Sequence, residues 1–165
     1  MTNLFDRRAT LLGFGAGAIT VALSACGASP ADAASKRFAY QLTDAQWRAK
    51  LSPAAYAVLR QENTERPYTS PLNKEKRSGV FMCAGCALPL FSSRTKFESG
   101  TGWPSFWAPL GNAVATRTDT TLGIARTEVR CRRCGGHLGH VFDDGPKPTG
   151  KRYCMNGLSL AFRAA

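Results

Sequence analysis

Two pairs of cysteines in this sequence have the spacing of a metal site. Each pair is a Cys-x-x-Cys, with Cys83 and Cys86 in one turn and Cys131 and Cys134 in the other. Four thiolates favour a tetrahedral zinc ion, and a fully coordinated ion keeps no open position for a substrate or a reactive water. We therefore expect structural zinc bound by these four cysteines, which leaves any reaction to other residues. Two disulfides, Cys83–Cys86 and Cys131–Cys134, are the alternative for an oxidising compartment.

Cys154 is the remaining cysteine of the part of the chain that we expect to fold. In a strand, Arg152 and Asn156 share its face, where a guanidinium favours the thiolate and an amide donates a hydrogen bond to a polar oxygen. This setting is typical of a nucleophile. An inert core cysteine is the alternative, because free cysteines are commonly buried.

His137 and His140 are the only two histidines in the chain, and they lie three residues apart among glycines. Such a pair can approach a ligand and exchange protons with it. Taken singly, each histidine also fits an ordinary core or surface position.

The segment 100–107 is a second dense stretch, with the sequence Gly-Thr-Gly-Trp-Pro-Ser-Phe-Trp. Its glycines, proline and aromatic rings are typical of a rigid turn that presents an aromatic face, or of a turn in the core. Beside a nucleophilic thiol, an aromatic wall suits a substrate with a small apolar or partly positive methyl group.

A short helical region followed by strands would position these groups. Thr43 has the setting of a helix N-cap, and Ser52-Pro53 begins a second helix. Prolines restrict 65–71 to an extended connector. Brief runs separated by Gly, Pro and Asp predict strands at 80–83, 114–118, 124–130, 141–142 and 158–162. We expect a mainly β fold over 40–163, compact and mostly antiparallel.

Residues 1–34 have the features of an export signal and are set apart from the fold. Arg7 and Arg8 precede a Gly- and Ala-rich apolar run, which resembles a twin-arginine signal. A transmembrane anchor is the alternative, but the run is short for a spanning helix and interrupted by glycines. Cleavage before Cys26, in a sequence like a lipobox, would give a lipid-anchored protein, whereas cleavage after Ala33 would give a soluble one. We expect export to the periplasm, with membrane contact only if Cys26 is lipidated.

The formal net charge is +11, and the basic residues are spread along the sequence. This distribution favours a solvated basic surface over a nucleic-acid footprint. A zinc-stabilised module that binds nucleic acid is the alternative from another functional class. It gives no role to Cys154, Asn156 or segment 100–107, and we expect no nucleic-acid partner.

The ordered motifs together resemble those of the B-type peptide methionine sulfoxide reductases. They are the two Cys-x-x-Cys pairs, Ser-Gly-x-Gly-Trp-Pro-Ser-Phe, His-Leu-Gly-His-Val-Phe-x-Asp-Gly-Pro and Arg-Tyr-Cys-x-Asn, and the match runs over about 42–162. The resemblance implies twisted antiparallel sheets with structural zinc. It also implies an enzyme that reduces the R epimer of methionine sulfoxide in oxidised proteins, which we expect to be monomeric.

The same resemblance implies roles for single residues. Cys154 would be the nucleophile, which takes oxygen from the sulfoxide and becomes a sulfenic acid. His137, His140 and Asn156 would help to bind and protonate that oxygen. The substrate-binding residues would be Trp103, which packs on the methyl group, Phe106 and Arg152.

Thr101 departs from a common pattern of this family, because many members carry there a second cysteine that reduces the sulfenic acid. The other cysteines of this chain are the expected metal ligands and Cys26. We therefore expect a one-cysteine enzyme whose sulfenic acid is reduced by an external thiol, from a thioredoxin-like partner. A disulfide oxidoreductase that uses a Cys-x-x-Cys pair is the alternative within redox chemistry.

Overall fold

The computed structural model describes residues 38–165, so the predicted export signal and Cys26 lie outside the described residues. Within 38–165, no helix has the length and apolar character needed to cross a membrane. The helical region comes first and the strands follow, as the sequence predicts. The α-helices are α1 (Asp44–Lys50) and α2 (Pro53–Gln61), and short 3-10 helices span Pro71–Lys74, Ser93–Thr95 and Gly157–Ser159.

Both α-helices begin at the caps that the sequence indicates. Thr43 and Gln46 form a capping box at the start of α1, and the Ser52 hydroxyl accepts from the third residue of α2. Each helix then buries one side, with Trp47 of α1 and Leu59 of α2 in the core. The helices therefore cover the strands that follow them.

All recorded strand pairs are antiparallel. The strands form a three-stranded sheet in the order β2-β1-β9 and a six-stranded sheet in the order β3-β4-β8-β7-β6-β5. Their bounds are β1 Gly79–Cys83, β2 Pro89–Ser92, β3 Lys96–Phe97, β4 Ser105–Phe106, β5 Val114–Asp119, β6 Arg126–Cys131, β7 His137–Phe142, β8 Arg152–Met155 and β9 Leu160–Ala164.

Aromatic rings join the two sheets in one core. Phe106 of β4 stacks on Phe91 of β2 with ring centres 4.4 Å apart, and it meets Phe81 of β1 edge-on at 4.9 Å. All three rings are fully buried. Burying a large aromatic side chain contributes about 1.5–3 kcal/mol, so these contacts are a main reason for the sheets to pack together.

Three predicted strands begin two or more residues away from the observed ones. The run 124–130 becomes a strand only at Arg126. The run 141–142 is only the end of β7, which begins at His137. The run 158–162 begins as a 3-10 helix at Gly157–Ser159, and the strand starts at Leu160. In this helix the backbone N–H groups of Gly157 and Leu158 both donate to one carboxylate, that of Glu65.

Strands β7 and β8 lie close together at Gly139. This residue has φ +155°, and a Cβ atom there would lie 2.1 Å from the carbonyl oxygen of Cys154. Only glycine avoids that clash without moving backbone. The close approach places His140 opposite Cys154 in the pairing of the two strands.

We predict that Gly139→Ala destabilises the protein by about 2–4 kcal/mol, because the added methyl group must push β8 away from β7. Urea denaturation measures this change. Gly111→Ala is the control, since a Cβ at Gly111 meets nothing within 4 Å, and it should change stability by less than about 0.5 kcal/mol. Equal stability of the two variants would contradict the proposed constraint.

Candidate active site and metal centre

The two Cys-x-x-Cys pairs come together in matching turns. Cys83 ends β1 and Cys131 ends β6. In the first turn the N–H of Ala87 donates to the carbonyl of Cys83, and in the second the N–H of Gly135 donates to that of Cys131, both at 2.8 Å. Each turn thereby presents two thiols to the same buried point.

The four sulfur atoms fit a tetrahedral metal ion. They all lie within 4.8 Å of one another, with Cys83 and Cys134 separated by 3.7 Å and Cys86 and Cys131 by 3.5 Å. Metal–sulfur bonds of about 2.3 Å in a tetrahedron require sulfur atoms about 3.8 Å apart. The structure joins none of the described cysteines in a disulfide, so it does not contain the alternative pairing. These four cysteines could hold one metal ion, as the sequence predicts.

Cys154 lies on the central strand β8, between β4 and β7. Its backbone neighbours across the sheet are Ser105 on β4 and His140 on β7. Unlike the four clustered cysteines, it is only half-buried. Its sulfur borders a small pocket of about 120 Å³, lined by Thr64, Trp103, Arg126, Gly139, His140, Phe142, Cys154 and Asn156.

The pocket brings together four of the seven predicted catalytic and substrate-binding residues, namely Cys154, His140, Asn156 and Trp103. A volume of this size accommodates the end of a side chain. The remaining three residues, His137, Phe106 and Arg152, do not line it.

Trp103 is fixed by a tight turn and one hydrogen bond. Its indole Nε1–H donates to the backbone carbonyl of Glu65 at 3.1 Å. The preceding Gly102 has φ +91°, and a Cβ there would come within 2.7 Å of Pro67. Only glycine allows this turn, which therefore holds one face of the indole in the pocket wall.

Asn156 is held by both ends of its amide. Its Oδ1 accepts from the backbone N–H of Glu65 at 3.0 Å, and its Nδ2 donates to the carbonyl of Leu138 at 3.2 Å. The side-chain amide nitrogen carries two hydrogens, and among the described contacts only one is used. The second can donate to an oxygen in the pocket.

Glu65 therefore organises the pocket, although the sequence indicated only an extended connector around it. Its backbone binds Trp103 and Asn156, and its carboxylate accepts from the N–H groups of Gly157 and Leu158. Burial raises the pKa of the Glu65 carboxyl, although both backbone N–H groups oppose the shift. No local pattern identifies this residue, because its partners lie far away in the sequence.

His140 is paired with a carboxylate. Its Nε2 lies 2.7 Å from Oδ2 of Asp119 on β5, which also binds Arg126 at 2.6 Å. Burial lowers the pKa of His140, and this effect outweighs the opposite effect of Asp119. At neutral pH the ring is therefore uncharged. With Nε2 facing Asp119, Nδ1 is the nitrogen available to a substrate.

His137 lies behind His140, with the ring centres 5.4 Å apart. Its Nδ1 is 2.7 Å from Oε1 of Glu128, which also binds Arg117. Burial alone would raise the pKa of Glu128, but the hydrogen bonds from His137 and Arg117 lower it. His137 is only 2% exposed, and its Nε2 has no hydrogen-bond partner among the described residues. His137 is therefore buried beside His140 and does not itself line the pocket.

Phe106 and Arg152 also differ from expectation. Phe106 belongs to the core described above, because in β4 it alternates with Ser105 and points away from the pocket. Arg152 forms a two-point ion pair with Asp144, at 2.8 and 2.9 Å, and lies 4.4 Å over the ring of Phe142. The hydrogen bond to Asp144 raises the pKa of Arg152, and the nearby sulfur of Cys154 contributes. Arg152 is therefore a charge beside the thiol and not part of the pocket wall.

Known proteins match most of the described chain. The SelR domain family matches residues 51–164. The chain is 58% identical over 121 residues to the peptide methionine sulfoxide reductase MsrB of Thiobacillus denitrificans. This match covers 73% of this chain and 92% of that protein. The proteins of the same name from Pseudomonas putida and Agrobacterium fabrum are 55% identical over 119 residues and 53% identical over 121 residues. These matches cover 72% and 73% of this chain, and 90% of each relative. They do not fit the alternatives of a nucleic-acid-binding module or a disulfide oxidoreductase.

We predict that the partly buried pair of His140 and Asp119 makes stability depend on pH. Because the pKa of His140 is lower in the fold than its ordinary value of about 6.5, the unfolded chain binds a proton there that the folded chain does not. This contribution to stability is complete above about pH 7 and is lost as the pH falls through 6.5. Urea denaturation at about pH 7.5 and 5.5 should show a larger loss for the native sequence than for His140→Gln, which cannot titrate. An equal loss in both proteins would contradict this account.

Proposed function

Because this chain belongs to the SelR family of B-type peptide methionine sulfoxide reductases, we propose that it reduces the R epimer of methionine sulfoxide in proteins through a sulfenic acid on Cys154. The family membership makes it an oxidoreductase that acts on methionine sulfoxide. The observation that carries the finer proposal is the pocket in which Cys154, His140, Asn156 and Trp103 meet.

In the proposed reaction the thiol of Cys154 gives its proton to Nδ1 of the neutral His140, and the thiolate attacks the sulfoxide sulfur. The proton then passes to the sulfoxide oxygen, to which Asn156 donates a hydrogen bond. The hydroxyl group then moves from the substrate sulfur to the sulfur of Cys154 as the bond between the two sulfur atoms breaks, so methionine leaves and Cys154 becomes a sulfenic acid. Asp119 supports this transfer because its carboxylate stabilises the imidazolium that forms in between.

Selection of one epimer follows from the three different contacts around the sulfoxide sulfur. The methyl group would pack on Trp103, the oxygen would face Asn156 and His140, and the sulfur would face Cys154. Exchanging methyl and oxygen would place an apolar group against hydrogen-bonding groups and leave the oxygen against an indole face. Leaving buried polar groups unpaired is costly, so the other epimer should be strongly rejected.

An external thiol would then restore the enzyme. A first thiol attacks the sulfenic sulfur and releases water, and a second thiol frees Cys154 and leaves the reductant as a disulfide. Thr101 lies 3.6 Å from the Cys154 sulfur and cannot take the place of a resolving cysteine. The other described cysteines are the four clustered ones that could hold a metal ion. We propose a thioredoxin-like partner, which would supply both thiols, and a monomeric enzyme exported to the periplasm or anchored there through Cys26.

We further propose that the metal is zinc and that it is structural. When bound, zinc would offset two of the four negative charges of the thiolates and tie the end of β1 to the end of β6, across the two sheets. Cys83, Cys86, Cys131 and Cys134 would all be ligands, so the ion would take no part in the reaction.

The activity is tested with the two epimers of a blocked methionine sulfoxide and dithiothreitol as the thiol. We predict that the R epimer is reduced at least about 100-fold faster than the S epimer, and that Cys154→Ser lowers this rate at least about 1,000-fold. Chromatography of the methionine product measures both rates. Equal activity of the variant and the native protein would remove Cys154 from the reaction.

The zinc proposal predicts one zinc ion per chain in the native protein, measured by elemental mass spectrometry. Cys131→Ser should bind less than about a tenth of this zinc and lose more than about 10 °C of melting temperature, because the two sheets are no longer tied. Cys154→Ser is the matched control and should keep both zinc and stability. A Cys131→Ser protein that retains full metal, or a native protein that holds a different metal, would contradict the proposal.

A further inference from the structure

Three hydroxyl groups form a chain that ends at the sulfur of Cys154. Oγ1 of Thr101 lies 3.6 Å from this sulfur and 2.8 Å from Oγ of Ser99. Oγ of Ser99 lies 2.7 Å from Oγ of Ser105, which in turn lies 3.2 Å from the carbonyl oxygen of Trp103. Ser105 is 1% exposed, so the inner part of this chain is closed to water.

The direction of the hydrogen bonds follows from counting hydrogens while Cys154 is a neutral thiol. The Trp103 carbonyl can only accept, so the hydroxyl of Ser105 donates to it. Ser105 must then accept from Ser99, and Ser99 must accept from Thr101, because each hydroxyl has a single hydrogen. Thr101 therefore presents a lone pair to Cys154, which suits an S–H donor.

Deprotonation of Cys154 reverses the direction of the hydrogen bonds in this chain. A thiolate can only accept, so Thr101 turns its hydrogen to the sulfur, Ser99 turns to Thr101, and Ser105 turns to Ser99. Each change is a rotation of one hydroxyl hydrogen, and no heavy atom has to move. The Trp103 carbonyl is the only member that loses a bond, while the thiolate gains a donor in a partly buried site.

We propose that Thr101, Ser99 and Ser105 form a reversible hydroxyl chain that stabilises the thiolate of Cys154. Thr101 contacts the sulfur, and the two serines are positioning residues that act through it. The chain gives a function to the position at which Thr101 replaces a cysteine. It deepens the proposed function, because a more abundant thiolate makes Cys154 a better nucleophile.

The charged groups around Cys154 are separate from this chain. His140 and Arg126 line the same pocket, and Asp119 binds both. Arg152 lies beside the sulfur and is paired with Asp144. The hydroxyl chain approaches from the other side, through β4 and the turn before it, and it carries no charge of its own. Its effect therefore depends on pH only through the ionisation of Cys154.

The test is the rate at which iodoacetamide alkylates Cys154 in the full-length, metal-loaded protein, followed by mass spectrometry of the peptide that contains this residue. Near pH 7, Thr101→Val should slow alkylation about tenfold, because valine keeps the shape and removes the donor. Thr101→Ser keeps the hydroxyl and should stay within about twofold of the native rate. Ser99→Ala does not touch the sulfur and should slow alkylation about two- to fivefold.

The pH profile separates this proposal from a purely steric effect. The hydroxyl chain changes only the fraction of the sulfur that is ionised, so the difference between the variants should shrink as a higher pH ionises more of the sulfur in each of them. A Thr101→Val protein that reacts at the native rate near pH 7 would overturn the proposal, and so would a difference that persists unchanged at high pH. The alkylation experiment contains no sulfoxide, so it does not depend on reductase activity. A failed reductase assay would therefore not contradict the hydroxyl chain, and a failed alkylation test would not contradict the reductase proposal. Ser99→Ala provides the decisive comparison if Thr101→Val does not fold.

Discussion

The close approach of β7 and β8 at Gly139 is the constraint on which the site depends. A side chain at this position would collide with the carbonyl oxygen of Cys154, so the strands can pair in this way only around a glycine. The resulting register sets His140 directly opposite Cys154, and β4 pairs with the other side of β8. A nucleophile on a central strand is held more rigidly than one on a loop, and both of its neighbours are fixed by the same hydrogen-bonded sheet.

Three acidic residues behind the site hold its side chains in place. Asp119 binds His140, Glu128 binds His137, and Glu65 binds both Trp103 and Asn156. Burying a polar group costs free energy unless the group is hydrogen-bonded, and nearly every buried polar side-chain atom of the described residues has a hydrogen-bond partner. The exceptions are Nε2 of His137 and Nε of Arg126. Arg126 lines the pocket, and His137 packs against His140, which also lines it, so both unpaired atoms belong to residues of the site or next to it.

Much of the fold and part of the site could be predicted from the sequence. Cysteine spacing predicted the four-sulfur cluster, because such sites repeat a fixed local turn. Strand alternation placed Arg152 on the face of Cys154. Phe106 could not be placed, since a two-residue strand is too short for its alternation to show which face is buried. Glu65, Asp119 and Glu128 were missed because their roles rest on contacts between distant segments, such as the 92 residues that separate Glu65 from Gly157.

The central proposal is that Cys154 reacts with the sulfoxide without a second cysteine of the chain, and that a thiol from outside the chain then reduces its sulfenic acid. Mixing the enzyme with excess R sulfoxide in the absence of any reductant tests this most directly, with the product counted and the protein mass measured. The account predicts a single methionine released per chain and a Cys154 that carries one added oxygen atom and reacts with dimedone. A disulfide between Cys154 and another cysteine of the chain, with zinc released, would contradict it.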